Sequence, residues 1–241
     1  MTFYNAPYRL ALHQRFASLK QRSFQLLADE LGQINLDLSC GPGLDAAALW
    51  VTRARIIGVE PNQALLIEAR HLHGSTVEFH CRPAQASWLD GSSVDALRFD
   101  RVFQHIADQE PVLVKADRIM MSEGRLQLVD TDWLSMSLFL PDIVLERKLF
   151  YSVSGHILGN SLFRLFLERL EQHRFANVTV EIHFIITMDF GTIDSVIHQI
   201  VDDEIDVRHL NTAEEATWFQ WKVSRQSWLS QNFLLIQATK I

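Results

Sequence analysis

Cysteine is nearly absent: Cys40 and Cys81 are the two in 241 residues. That excludes a disulfide framework, and a chain this long gains little from a single bridge, so a reducing, cytoplasmic setting is expected. Basic residues are also few, with 22 Lys and Arg against 29 Asp and Glu and a formal charge of -7. The two signs are mixed along the chain, so no basic stripe exists to track a phosphate backbone, and nucleic acid is not an expected partner. No apolar run approaches the roughly 20 residues that cross a bilayer, so no membrane span is expected. The opening MTFYNAPYRL lacks the apolar centre of a secretion signal. The 10 glycines and 6 prolines are scattered, without a linker, a repeat or a low-complexity tract. His71 and His73, two apart on a helical pattern, do not share a face, so no metal site is expected. What is present is a chain that is 48% hydrophobic, enough for one sizeable core, and a single domain over residues 1–241 is the expectation.

Residues 8–32 carry apolar side chains at helical spacing, among them Phe16, Leu19, Phe24 and Leu27, and stop at Gly32; they predict a helical N-terminal cover over 1–33. Strand and helix patterns then alternate. INLDLS (34–39), RIIGVE (55–60), TVEFHC (76–81), ALRFDRVF (96–103) and GRLQLVD (124–130) read as strands. Between them LDAAALWV, NQALLIEARHL and residues 110–121 read as helices. Such alternation implies parallel strands with crossover helices in an open α/β sheet. After Asp130 the rhythm changes: 133–173 and 191–228 read as helical, and NVTVEIHFIIT (177–187) and NFLLIQATK (232–240) as strands.

The turn after the first strand, LDLSCGPG (36–43), holds the first functional signal. In open α/β sheets ligands bind beyond the carboxyl ends of the strands. A turn with Gly41 and Gly43 lets a backbone approach a ligand and points N–H groups at it from a helix start; the plain alternative is a tight turn. GPGLDA fits the dinucleotide pattern G-x-G-x-x-A, with Glu60 about 20 residues on, where a ribose-binding acid falls. Asp37 argues for a different ligand. A carboxylate inside a central strand costs several kcal/mol, by order of magnitude, unless it is paired, and loop N–H groups together with a ligand ammonium would pair it.

Taken with their flanks, these stretches resemble the class I S-adenosylmethionine-dependent methyltransferases, in particular the small-molecule group that includes the quinone-biosynthesis enzymes. The motifs are LDLSCGPG, GVEPNQALLIEAR (58–70), FDRVFQH (99–105) and ADRIMMSEGRLQLVDTDW (116–133), and TAEEATWFQWK (212–222) with the last strand is similar to the group's closing helix and strand. The resemblance implies a Rossmann-like, seven-stranded, mostly parallel sheet with helices on both faces and a helical lid insertion. Residues 34–132 would be the cofactor-binding half and 133–241 the substrate-side half. It implies S-adenosyl-L-methionine as cofactor and S-adenosyl-L-homocysteine as product, held by Asp37, Ser39, Gly41, Gly43, Glu60, Pro61, Ala84, Gln85, Phe103 and Gln104. Asp37 would face the ammonium and Glu60 would accept from both ribose hydroxyls, although Glu60 also suits a helix N-terminus capped by Asn62. Two departures stand out. Ser39 interrupts the glycine pattern, and Pro83 stands where an acid commonly binds the adenine amino group, leaving Ala84 backbone or the Gln85 amide for that task.

Methyl transfer from a sulfonium needs alignment above all, worth roughly 7–11 kcal/mol of barrier, so no fixed triad is expected. His105, leaving the fourth strand, is the candidate base or substrate-orienting group, against a plain capping or core role. Asp130 and Trp133, with Tyr4 and Tyr8 in the N-terminal segment, are candidate substrate contacts. Asp130 and Asp132 also read as caps of a following helix. The aromatic residues after Asp130, with Trp218 and Trp221, suggest a lid over a small, largely apolar acceptor such as a quinone, phenol or natural-product intermediate. Two rival readings are a cofactor-binding protein that does not methylate, and an NAD-dependent oxidoreductase.

Overall fold

The computed structural model describes residues 16–28, 32, 34–49, 54–84, 88–155, 157, 159, 162–188, 210–224 and 228–241. Tyr4, Tyr8 and Gln85 lie outside these residues, as do positions 191–209 of the stretch 191–228 that reads as helical. Seven strands form one sheet: β1 (Ile34–Leu38), β2 (Arg55–Val59), β3 (Glu78–His80), β4 (Val94–Asp100), β5 (Met120–Ser137), β6 (Phe175–Thr187) and β7 (Leu229–Lys240). Their order is β3-β2-β1-β4-β5-β7-β6. The first five pair in parallel, and β7 runs antiparallel between β5 and β6.

Seven helices are described: α1 (Ala17–Ala28), α2 (Leu44–Leu49), α3 (Gln63–His73), α4 (Glu110–Ile119), α5 (Ile143–Gly155), α6 (Leu162–Gln172) and α7 (Thr212–Ser224). The strands alternate between the two faces they cover. Leu36, Leu38, Leu97, Phe99, Leu126 and Leu128 pack with Val112 and Leu113 of α4 and Phe166 of α6. On the opposite face Ile56 and Ala96 pack with Leu27 of α1, Ala46 and Leu49 of α2 and Leu66 of α3. Each such side chain, fully buried, contributes about 1.5–3 kcal/mol. Helices therefore lie on both faces, as the alternating patterns require. No helix among the described residues is long and apolar enough to cross a membrane.

The expected helix from residue 133 is corrected. The strand that was read to end at Asp130 runs on to Ser137, because β7 supplies an antiparallel partner as far as Asp132↔Asn232 and, after a register shift, Ser137↔Ser230. Ser135 Oγ donates to Asp132 O (2.7 Å) and accepts from Asn232 N–H (2.9 Å), which stabilises that irregularity. Pairing with a distant strand thus overrides the local helical spacing. The helix begins at Ile143, where Asp142 Oδ1 accepts from Val144 N–H (2.9 Å) and Leu145 N–H (3.1 Å).

Candidate functional site

The chain exits from β1, β2, β3 and β4 converge on one cavity of about 440 Å³, a size typical of small-molecule sites. The β1 exit supplies Ser39, Cys40 and Gly41, the β2 exit Glu60 and Pro61, the stretch after β3 Pro83 and Ala84, and the β4 exit Arg101, Val102, Gln104 and His105. Ser39 (φ 59°), Gly41 (φ 55°) and Gly43 (φ 78°) all adopt the left-handed conformation. Ser39 therefore occupies a backbone position that favours glycine, at a conformational cost.

The two glycines serve different ends. A Cβ on Gly41 would meet no atom within 4 Å, so the backbone is open toward the cavity, whereas a Cβ on Gly43 would lie 2.6 Å from the Phe79 ring. Gly43 does not line the cavity; it lets the turn and α2 pack closely on β3. Phe103 is likewise no cavity residue. Its ring is buried in the main core, edge-on to Phe99 and Phe166.

Glu60, 6% exposed, is held at the end of β2 by two backbone donors. Gly41 N–H donates to Oε2 (2.9 Å) and Asn62 N–H to Oε1 (2.8 Å), while Asn62 caps α3 through Ala64 and Leu65. Both oxygens keep further acceptor capacity, and burial raises the carboxyl's proton affinity against these donors.

Below the turn lies a buried ionic cluster whose cations the sequence reading did not anticipate. Asp37 of β1 sits beside Arg98 of β4 in the strand register. Arg98, 1% exposed, reaches Asp37 Oδ1 (3.4 Å), Asp45 Oδ2 (3.2 Å) and Asp100 Oδ2 (2.8 Å). Lys20 of α1 bonds Asp45 and reaches Asp100 (2.8 Å), and Arg101 Nε donates to Asp100 Oδ1 (3.0 Å). Asp100 faces three cations, and they hold its carboxyl well below the usual range despite burial. Asp37 has a long contact to Arg98, and burial, helped by the charges of Asp45 and Asp100, pushes its carboxyl up to about 7. Among the described residues its buried Oδ2 has no hydrogen-bond partner, and the residue lines the cavity. The signal for this cluster was a pair of arginines and an aspartate inside ALRFDRVF, otherwise an apolar central strand.

Further along the β4 exit, Trp133 Nε1 donates to Gln104 Oε1 (2.7 Å). An indole nitrogen only donates, so this bond fixes the Gln104 amide, and its Nε2 then donates to Arg101 O (3.3 Å) and to His105 Nε2 (3.1 Å). His105 Nε2 is therefore the acceptor, and Nδ1 carries the ring hydrogen. Burial and the charge of Arg101 lower the proton affinity of the imidazole, which is neutral at pH 7.

Two expected substrate contacts have structural positions instead. Asp130 is fully buried, accepting from Phe103 N–H (2.9 Å), Gln104 N–H (3.3 Å) and Thr131 N–H (2.8 Å). It holds the first two N–H groups of the 3-10 turn Phe103–His105 after β4, and starts no helix of its own because β5 continues through it. Asp132 likewise accepts from Leu134 N–H (3.2 Å) within the strand. Trp133 is outside the cavity lining and meets the site through Gln104. The other aromatics proposed as a lid, Trp218 and Trp221, stack on each other (5.1 Å) in a separate cluster with Trp133, Leu145 and Leu149. Among the described residues no group of His, Cys, Asp and Glu could hold a metal ion.

The site thus offers a buried carboxylate oxygen without a hydrogen-bond partner among the described residues, a two-oxygen acceptor at a strand end and an unobstructed glycine backbone. These suit a ligand with an ammonium, a vicinal diol and a carboxylate. Residues 36–128 match the model of the methyltransferase domain family. An uncharacterized 37.1 kDa protein in transposon TN4556 of Streptomyces fradiae is 31% identical over 167 residues, 67% of this chain and 48% of that protein, so the match spans about half that relative's length. YcgJ of Bacillus subtilis has a similar structure (TM-score 0.65, 16% identity, 91% of this chain and 98% of that one). So has a putative methyltransferase of Bacillus halodurans C-125 (0.64, 16%, 92% and 99%). Phosphoethanolamine N-methyltransferase 2 of Haemonchus contortus, in complex with S-adenosyl-L-methionine, is similar over 99% of this chain and 58% of its own (0.61, 15%). Residues 36–128 thus match a methyltransferase domain, and the chain has the fold of the solved methyltransferases.

Proposed function

We propose that the protein transfers the methyl group of S-adenosyl-L-methionine to a small-molecule acceptor and releases S-adenosyl-L-homocysteine. The observation that carries this reading is the unpartnered Oδ2 of Asp37, a buried carboxylate oxygen at the cavity of a methyltransferase fold. An unpaired polar atom there costs free energy, and a ligand ammonium recovers it. Glu60 would take the ribose hydroxyls, Gly41 would leave room for the amino-acid end, and Leu65, Pro83 and Ala84 would flank the base. When bound, the cofactor supplies an electrophilic methyl: the acceptor atom bonds the methyl carbon, and the carbon–sulfur electron pair stays on sulfur. The protein's own contribution is alignment and exclusion of water. Because Gln104 occupies Nε2 of His105, the ring is arranged to orient the acceptor through Nδ1–H, and the acceptor's proton passes to water at the cavity mouth.

The acceptor is proposed to be small, with an apolar body lying against Val102 and Ile106; the quinone, phenol and natural-product classes all allow this. The tryptophan lid gives that reading no support, since those rings are occupied in their own core. Cys40 and Cys81 are free thiols, Cys81 being exposed, which supports a reducing setting. The antiparallel β7 inserted beside β5 disfavours the nicotinamide alternative, whose usual sheet is all parallel.

Calorimetric titration with S-adenosyl-L-homocysteine and with NAD tests the reading. Binding of the homocysteine alone is expected. Binding of NAD alone would overturn the proposal, and binding of neither would favour a degenerate member of the fold.

A further inference from the structure

We propose that Arg101 and His105 form a subsite for an anionic group, a carboxylate or a phosphate, carried by the methyl acceptor; this rests on the methyl-transfer reading above. Arg101 leaves β4 in the left-handed region (φ 56°), a conformation costly for a residue with a β-carbon. Its N–H donates to Val129 O (2.7 Å), fastening the turn. Nε is taken by Asp100, and the guanidinium lies over the Phe16 ring, 5.5 Å from its centroid. Among the described residues the two terminal nitrogens have no hydrogen-bond partner, and the side chain is 30% exposed at the cavity wall. A guanidinium held by one edge and one face presents the parallel N–H pair that matches two oxygens of a carboxylate or phosphate.

Arg101 meets the ionic cluster through one edge alone: Asp100 Oδ2 and Asp45 are met by Lys20 and Arg98, and Arg101 engages Asp100 Oδ1 through Nε. His105, on the same wall, adds a third donor. The chain of bonds from Trp133 through Gln104 fixes its acceptor nitrogen, so the free Nδ1–H is left to meet an oxygen. Trp133 acts here as a positioning residue that keeps the imidazole in its donor form.

The test uses the full chain saturated with S-adenosyl-L-homocysteine and titrated calorimetrically with benzoate, with inorganic phosphate, and with benzamide as the neutral isostere of benzoate. At least one anion is expected to bind, and the choice between the two names the oxyanion. If it is benzoate, benzamide should bind at least about tenfold more weakly, and Arg101→Gln should lower anion affinity about tenfold or more. Affinity for S-adenosyl-L-homocysteine should stay within about twofold in that variant. In the wild type, the ring-nitrogen resonances of His105 should shift on adding the anion, with the hydrogen still on Nδ1. Equal anion binding by wild type and variant, no anion binding to the wild type, or unmoved His105 resonances would each overturn the subsite. Should Arg101→Gln fail to fold, Arg101→Lys, which keeps the charge and lacks the fork, takes its place. Failure to bind S-adenosyl-L-homocysteine sinks the methyl-transfer reading instead, and the anion titrations are then read on the ligand-free protein.

Discussion

The carboxyl ends of β1 and β4 bury charge, whereas the chain beyond Asp130 buries rings and aliphatic groups. The first region sets Asp37, Asp45 and Asp100 against Lys20, Arg98 and Arg101 at the floor of the cavity. The second packs Trp133, Trp218 and Trp221 with leucines, away from the lining of that cavity. Apolar burial stabilises a fold without directional demands, while buried charge stabilises little unless every group is paired. A charged cluster at the cavity that leaves Oδ2 of Asp37 without a hydrogen-bond partner among the described residues is therefore better explained by a ligand than by the fold alone.

Substitutions in the two regions should separate stability from binding. Arg98→Met leaves three buried carboxylates short of their shared partner and should cost about 3–5 kcal/mol in denaturant unfolding, with loss of S-adenosyl-L-homocysteine binding. Trp218→Ala, at a position with no exposed surface, should also cost about 3–5 kcal/mol. It should leave the affinity for that ligand within about twofold, and a larger drop would show that the aromatic cluster reaches the site. Glu60→Ala should weaken the same ligand by at least about 1 kcal/mol in calorimetry, the scale of one lost hydrogen bond; no change would mean the ribose lies elsewhere. The smallest effect is expected from Ser39→Gly, which relieves the left-handed backbone and should stabilise by about 1 kcal/mol in thermal melts.

The same contrast governs what could be read in the sequence. Asp37 and Glu60 were legible because an acid inside or at the end of an apolar strand is costly and points to a partner. Arg98 was not, since its meaning lies in the register that sets β4 beside β1, a nonlocal fact. The parallel order of β1 to β5 followed from local alternation, but the strand character of residues 133–137 came from β7, about a hundred residues away. Asp130 carried the local signature of a helix cap, while its partner is the N–H of Phe103. Gly43 was legible as a turn, and only the position of Phe79 showed that its role is close packing.

Protonation gives the most direct access to Asp37. Its carboxyl sits at about 7 in the folded protein against about 3.9 in an unfolded chain. Between those values the folded state holds the extra proton, so this group makes stability fall as pH rises through that window. Asp130, also raised to about 7 by burial, acts in the same direction, and Asp100, held low, acts oppositely and loses its contribution only in acid. A ligand ammonium at Oδ2 needs Asp37 ionised, so binding must expel the proton. The decisive measurement is the number of protons released when S-adenosyl-L-homocysteine binds, obtained by calorimetry in buffers of different ionisation enthalpy. The predicted result is roughly one proton at about pH 6, falling toward none above about pH 8, and none at either pH for Asp37→Asn. Equal release by wild type and Asp37→Asn, or none by the wild type at about pH 6, would contradict the placement of the cofactor's ammonium at Asp37.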